Sequence, residues 1–99
     1  MGVRDPLDPD RVAANLAERP GWQQVGQEIT RTYHLDYDST VTAVAEIGKA
    51  AVELEHRPDL DIRWDTLTVT MTTHTAGDVL TELDFLLAER IDQIIDQHG

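Results

Sequence analysis

The sequence predicts an α+β fold, an antiparallel sheet with helices packed on one face. Three observations predict it. Two long segments carry apolar residues at three- and four-residue steps behind a capping residue, the mark of amphipathic helices. Two other segments alternate apolar and polar residues, the mark of half-buried strands. And 99 residues suffice for one compact domain but not two, so all these elements must share one core.

Residues 1–7 read as a flexible tail, and residues 8–99 as a single domain. "DPDRVAANLAERPGW" is a short helix: Asp8 caps it, Pro9 suits its first turn, Val12 and Leu16 share a face, and Pro20-Gly21 stops it. "WQQVGQEITRTYHL" is a hairpin turning near Gly26-Gln27, with Ile29, Tyr33 and Leu35 alternating against Thr30, Thr32 and His34. Asp38 or Ser39 then caps a helix running to about Glu55, with Val41, Val44, Ala45, Gly48, Ala51 and Val52 as its apolar stripe. Residues 61–74 read as strand. From Trp64 onward Leu67, Val69 and Met71 face one way, and Trp64, Thr66, Thr68, Thr70, Thr72 and His74 the other. The last helix, "LTELDFLLAERIDQIIDQHG", begins with a capping-box variant of Thr81 and Asp84 and carries the stripe Leu83, Leu87, Ile91, Ile94, Ile95. The order is α-β-β-α-β-α, or α-β-β-α-β-β-α if "DIRW" and the threonine run are separate strands.

Charge narrows the function. The net charge is −11, and the eight Lys and Arg residues are scattered, whereas a nucleic-acid or anionic-membrane binder needs a basic stripe. No direct nucleic-acid partner and no membrane are expected. With no cysteine, a disulfide framework, a thiol nucleophile and a cysteine-based zinc site are excluded. The N-terminus lacks the apolar core of a signal peptide, and no apolar run is long enough to cross a bilayer, so a cytoplasmic protein is expected. A domain this small has a limited core and often gains stability by oligomerising. A homodimer or homotetramer is expected, joined partly through sheet edges and partly through Leu87, Ile91 and Ile94.

Histidine is the residue whose ordinary pKa allows proton transfer near neutrality. Of His34, His56, His74 and His98, His98 lies at the chain end and His34 on the polar side of a strand. His56 sits at a helix-to-strand corner and His74 at the far end of a strand, positions an antiparallel sheet can bring to one edge. Each also has a plain structural explanation. His56 can bind the last carbonyls of its helix, and His74 can be an ordinary polar strand end. Trp64 can be core or interface packing, and Arg57 can pair with Glu55, Asp59 or Asp61 in a surface network. No three or four ligands fall at short metal-binding spacing, and no metal is expected.

"EHRPDLDIRWDTLTVTMTTHTAG" followed by "LTELDFLLAERID" resembles the pterin-4a-carbinolamine dehydratases (4a-hydroxytetrahydrobiopterin dehydratases). That family has a His-His-Pro or His-Asn-Pro corner, an aromatic, a strand ending Thr-His, and a Leu-Thr-x-x-Asp helix start. "LDPDRVAANLAERPGWQ" is similar to its opening helix and Gly-Trp turn. The resemblance implies a four-stranded antiparallel sheet backed by helices, α-β-β-α-β-β-α, assembled as dimers or tetramers. It matches His56 and Pro58 to the corner, Trp64 to the aromatic, His74 to the strand-end histidine and Asp84 to the acidic residue of the last helix, with Asp78 as an insertion. Arg57 stands where the family has a second histidine or an asparagine. Val52 stands where it usually has a polar residue, and Glu53 points about 100° away from that position.

The implied reaction removes water from a 4a-hydroxytetrahydropterin and gives the quinonoid dihydropterin, with no metal or redox cofactor. The resemblance makes His56 and His74 catalytic and gives Arg57, Pro58, Trp64 and Asp84 substrate-binding parts, with Asp84 orienting a histidine. Arginine stays protonated and cannot carry protons for the missing histidine. An alternative follows from relatives of this fold that bind proteins, as a dimerisation cofactor of a homeodomain transcription factor or as Rubisco assembly factors in carboxysome-forming bacteria. Val52 and Arg57 favour this catalytically degenerate reading. The retained His56, Pro58, Trp64 and His74 favour the enzyme.

Overall fold

The structure is a computed structural model and describes residues 4–98. Three helices back one four-stranded antiparallel sheet, in the order α1 (Pro9–Ala17), β1 (Gln23–Val25), β2 (Glu28–His34), α2 (Tyr37–Leu54), β3 (Asp59–Arg63), β4 (Thr66–Met71), a 3₁₀ turn (His74–Ala76) and α3 (Glu82–His98). Strands lie in the order β1-β2-β4-β3. The threonine run therefore occupies a central strand, with Ile29 opposite Met71 and Leu60 opposite Val69.

Alternation divides the sheet. Ile29, Tyr33, Leu67, Val69 and Met71 are buried against Ala43, Ile47, Phe85, Leu87 and Ile91 of the helices. On the outer face the threonines pair across strands, Thr30 with Thr70 at 3.1 Å and Thr32 with Thr68 at 2.8 Å, a ladder that satisfies hydroxyls without burying them. Trp22 and Tyr33 close the far end of the core edge to face, and both donate to Asp92 of α3. Burial and that carboxylate push the Tyr33 phenol far above its usual pKa. Gly21 sits at φ 100 with Arg31 against it, where a Cβ would lie 2.7 Å from the guanidinium carbon.

Several expectations are corrected. Arg4 donates to the Leu54 and Glu55 carbonyls and the Leu7 amide to the Leu80 carbonyl, so residues 4–7 are tied down. Residues 1–3 of the expected tail lie outside the described residues. Asp36, not Asp38 or Ser39, caps α2, accepting from the Ser39 amide at 2.7 Å. The buried stripe of α2 is Thr40, Ala43, Ile47, Ala50 and Ala51. Val41 and Val52 lie on the opposite side, Val52 65 % exposed. Leu87, Ile91 and Ile94 are buried within the chain's own core and are not available to a partner. Residues 61–74 are no single strand: β3 and β4 meet in a two-residue turn at Trp64-Asp65. His98 is no loose end, because its Nε2 meets Glu46 of α2 at 3.0 Å.

Candidate active site

The helix-to-strand corner is built by the end of α2. Glu55 takes a left-handed conformation, φ 53, its amide reaches the Val52 carbonyl, and the His56 amide reaches the Ala51 carbonyl at 3.0 Å. This is a Schellman stop without its usual glycine. It turns the chain so that the His56 side chain folds inward beneath α3, 6 % exposed. The His56 side chain therefore does not bind its own helix's carbonyls. Its Nε2 lies 2.6 Å from Oδ1 of Asp84, which is 0 % exposed.

Asp84 owes its place to the start of α3. Its Oδ2 accepts from the Thr81 amide at 3.0 Å, and the Thr81 hydroxyl accepts from the Leu83 amide at 3.2 Å, so the expected Thr81–Asp84 capping box forms. Thr73 Oγ1 donates to the same Oδ2 at 2.8 Å and lies 2.8 Å from Thr81 Oγ1. With Asp84 as a carboxylate, these contacts admit one consistent proton assignment: Thr81 O–H to Thr73, Thr73 O–H to Asp84, and His56 Nε2–H to Asp84. No buried side-chain nitrogen or oxygen among the described residues lacks a partner. His56 Nδ1 has none among the described residues, so it reaches solvent, in the cleft His56 helps to line.

That cleft, about 150 Å³, is lined by Glu55, His56, Arg57, His74 and Thr75. His74 leads the 3₁₀ turn after β4 rather than ending a strand. Its side chain is 66 % exposed, and its Nδ1 lies 2.5 Å from Oδ1 of Asp78. The hydrogen bond to Asp78 raises its pKa above the ordinary histidine value, against some desolvation, with the carboxylates of Asp78, Asp59 and Asp84 adding to the rise. Arg57 is exposed and makes none of the expected pairs with Glu55, Asp59 or Asp61. Asp61 instead binds Arg63 at 3.1 Å.

The structure thus brings His56, Arg57 and His74 together, with Asp84 behind them. It does not bring Asp84 to a substrate: the carboxylate is sealed and meets the cleft only through His56. Pro58 leads into β3 and is not among the cleft-lining residues. Trp64 is 88 % exposed at the far end of the β3–β4 hairpin, on the order of 20 Å from the histidines by strand rise. It lines another cavity, about 840 Å³, with Asp36, Tyr37, Asp38, Ser39 and Asp65. That cavity is larger, but no histidine lines it, so size and chemistry point to different places and the chemistry selects the histidine cleft. Glu53, next to Val52, is bound to Arg90 at 3.2 Å. Sequence reasoning missed the Asp78 partnership, although the insertion itself was visible. Among the described residues no three His, Asp or Glu side chains converge as a metal site.

Two histidines, each held by a carboxylate, are groups chemically suited to proton transfer. Family comparison gives the class of protein. The model of the pterin 4 alpha carbinolamine dehydratase family matches residues 5–94, and the chain belongs to that family of hydro-lyases. A protein assigned by name to the pterin-4-alpha-carbinolamine dehydratases in Streptomyces avermitilis is 36 % identical over 96 % of this chain and 95 % of its own. One from Nocardia farcinica, so named, is 38 % identical over 89 % of this chain and 93 % of its own. The crystal structure of a transcriptional coactivator/pterin dehydratase from Brucella melitensis superposes with a TM-score of 0.86 at 27 % identity, covering 91 % of this chain and 98 % of that one. A pterin dehydratase-like protein identified as a RuBisCO assembly factor in the alpha-carboxysome shares the fold, with a TM-score of 0.63 at 16 % identity over 77 % of this chain and 90 % of its own. No helix among the described residues is long and apolar enough to cross a membrane.

Proposed function

We propose that the protein is a cytoplasmic dehydratase that removes water from a 4a-hydroxytetrahydropterin and releases the quinonoid dihydropterin. The observation that carries this reading is the meeting of His56 and His74 in one cleft, each with one ring nitrogen bound to a carboxylate. His74, whose pKa is raised by Asp78, is the acid: it gives a proton to the 4a-hydroxyl as the C4a–O bond breaks with its electron pair on oxygen. His56 is the base. Its Nε2–H is held by Asp84, so Nδ1 offers a lone pair to the N5 proton, and the N5 electrons form the N5=C4a bond. Water leaves, one proton passes to each side, and the two rings reset through solvent. Asp84 acts as the buried carboxylate of a triad does, fixing the tautomer and stabilising the imidazolium that forms.

Arg57 supplies a fixed cation with several donors at the cleft rim, suited to the pterin carbonyl. The cleft is shallow, so the ring system lies against it rather than inside it. Purified protein should accelerate dehydration of a 4a-hydroxytetrahydropterin generated in situ, and Arg57→His should lower the rate by weakening substrate hold. A rate that rises in Arg57→His would identify the arginine as a lesion. Silence of both proteins would end the enzyme reading.

A second reading has one observation in its favour. Tyr37, Val41 and Val52 form an exposed apolar line along α2, and such a line on a strongly acidic chain marks an interaction surface. It supports a homodimer or homotetramer, together with the sheet edges β1 and β3. If the cleft proves inactive, it supports a protein-binding role instead, in the manner of the assembly factor that shares this fold.

A further inference from the structure

The insertion between β4 and α3 raises a question that the dehydratase reading leaves open: what holds an exposed histidine in place? Two non-glycine residues among those described have positive φ, Glu55 at 53 and Asp78 at 60. Both stand at the cleft, one before His56 and the other beside His74. Asp78 follows Gly77, itself at φ 91, so two successive left-handed residues turn the chain back on itself. Backbone bonds close the loop: the Gly77 amide reaches the His74 carbonyl, the Asp78 amide reaches the Thr73 carbonyl, and the Thr73 amide reaches the Val79 carbonyl, each at 3.1 Å. The loop is anchored in turn by Thr73 Oγ1 on Asp84. The effect is to bring the Asp78 carboxylate to 2.5 Å from His74 Nδ1. A left-handed conformation is unfavourable for most L-residues, and non-glycine residues held there concentrate at functional sites.

We propose that Asp78 is a positioning residue for His74: it takes the Nδ1–H of the imidazole, so that Nε2 is the nitrogen left to serve the cleft. It does for the exposed histidine what Asp84 does for the buried one. The proposal rests on the dehydratase reading for its catalytic meaning, but the ring's state can be measured without turnover. The charged and titratable groups around His74 are Asp78 on its own loop, Asp59 on β3, Asp84 on α3, and His56, Glu55 and Arg57 at the end of α2. Of these, Asp78 alone bonds the ring. The bond holds the ring charged to higher pH than a free histidine. Because both partners are exposed, it is open to screening by salt.

The test is a nitrogen-15 NMR titration of the histidines in the full chain, in wild type, Asp78→Asn and Asp78→Gly. Asparagine tolerates the left-handed conformation and glycine prefers it, so both variants should fold, and the glycine variant at least as stably as wild type. In both, His74 should titrate at lower pH, and in Asp78→Gly, which leaves no side-chain acceptor, its neutral form should lose the Nδ1–H tautomer. His56 should keep its Nε2–H tautomer. In the dehydration assay the alkaline limb of kcat should move to lower pH with little change in KM, each unit of movement lowering the protonated fraction tenfold above it. A His74 titration and tautomer unchanged in both variants would overturn the proposal, whatever the activity. A shifted His74 in a protein with no dehydratase rate would support the proposal as a statement about the ring and remove the dehydratase reading alone.

Discussion

Asp84 concentrates more of the account than any other side chain. One buried carboxylate caps α3, receives Thr73 and fixes His56. An isosteric Asp84→Asn exchange replaces one acceptor oxygen by a donor, so a neighbouring N–H or O–H is left facing another donor. Leaving such a group unpaired costs roughly 1–3 kcal/mol, read as a lower urea midpoint. Because the amide no longer holds the His56 tautomer, the dehydration rate should fall on the order of 10²–10⁴ at a temperature where the variant is folded. A variant that loses stability but keeps its rate within about threefold of wild type would show that Asp84 is a cap and nothing more. At this scale the sequence was partly legible. The spacing of His56 and His74 could be matched directly, and Asp84 could be matched across the residue that the resemblance marks as an insertion, Asp78. The burial of Asp84 could not, because a carboxylate at a helix start is usually solvated, and only the Thr73–Thr81 contact makes a dry position for it. Around Trp64 strict alternation ran through a hairpin turn made without glycine, proline or asparagine, so the pattern left open whether "DIRW" and the threonine run were one strand or two.

Elements were legible in kind and less so in orientation. All three helices and the β1–β2 hairpin follow from periodicity and caps, but periodicity left the split of β3 from β4 open, and it did not give the face of α2. Its apolar residues fall at helical steps on two sides, Ala43, Ile47 and Ala50 toward the core and Val41, Ala45, Gly48 and Val52 away from it. Hydrophobicity alone cannot rank two stripes when Thr40, buried by its bond to the Asp36 carbonyl, belongs to the inner one. The stop of α2 is the element most informative about function. Glu55 is forced into the conformation glycine prefers, at the residue that delivers His56 to its pocket. Glu55→Gly should therefore raise stability by about 1 kcal/mol, a shift measurable in the urea midpoint. Unchanged or lower stability would mean that the Glu55 side chain contributes more at the cleft rim than its backbone conformation costs.

The whole molecule is a small α+β domain with its core fully enclosed between sheet and helices, and that enclosure decides what remains for association. The stripe of α3 is consumed internally, which leaves the outer line of α2 and the sheet edges. Sedimentation at micromolar concentration should show a species of two or four chains, and Val41→Glu with Val52→Glu should shift it toward a single chain without unfolding it, since both positions are exposed. Single chains in the unaltered protein would contradict this. The fold also explains why residues from the end of α2 and the loop after β4 meet. β3 and β4 are hairpin partners, so the entry to β3 and the exit from β4 lie at the same end, and α3 starts beneath both. On the dehydratase proposal, the two histidines so gathered act as one proton-transferring unit. The most direct measurement is the dehydration rate of a 4a-hydroxytetrahydropterin for wild type, His56→Ala, His74→Ala and the double variant. Residues acting as a unit are non-additive. Each single variant should therefore lose about 10²-fold or more, and the double variant should be little slower than the worse single. A wild-type rate at the uncatalysed background, or single variants that keep the full rate, would contradict it.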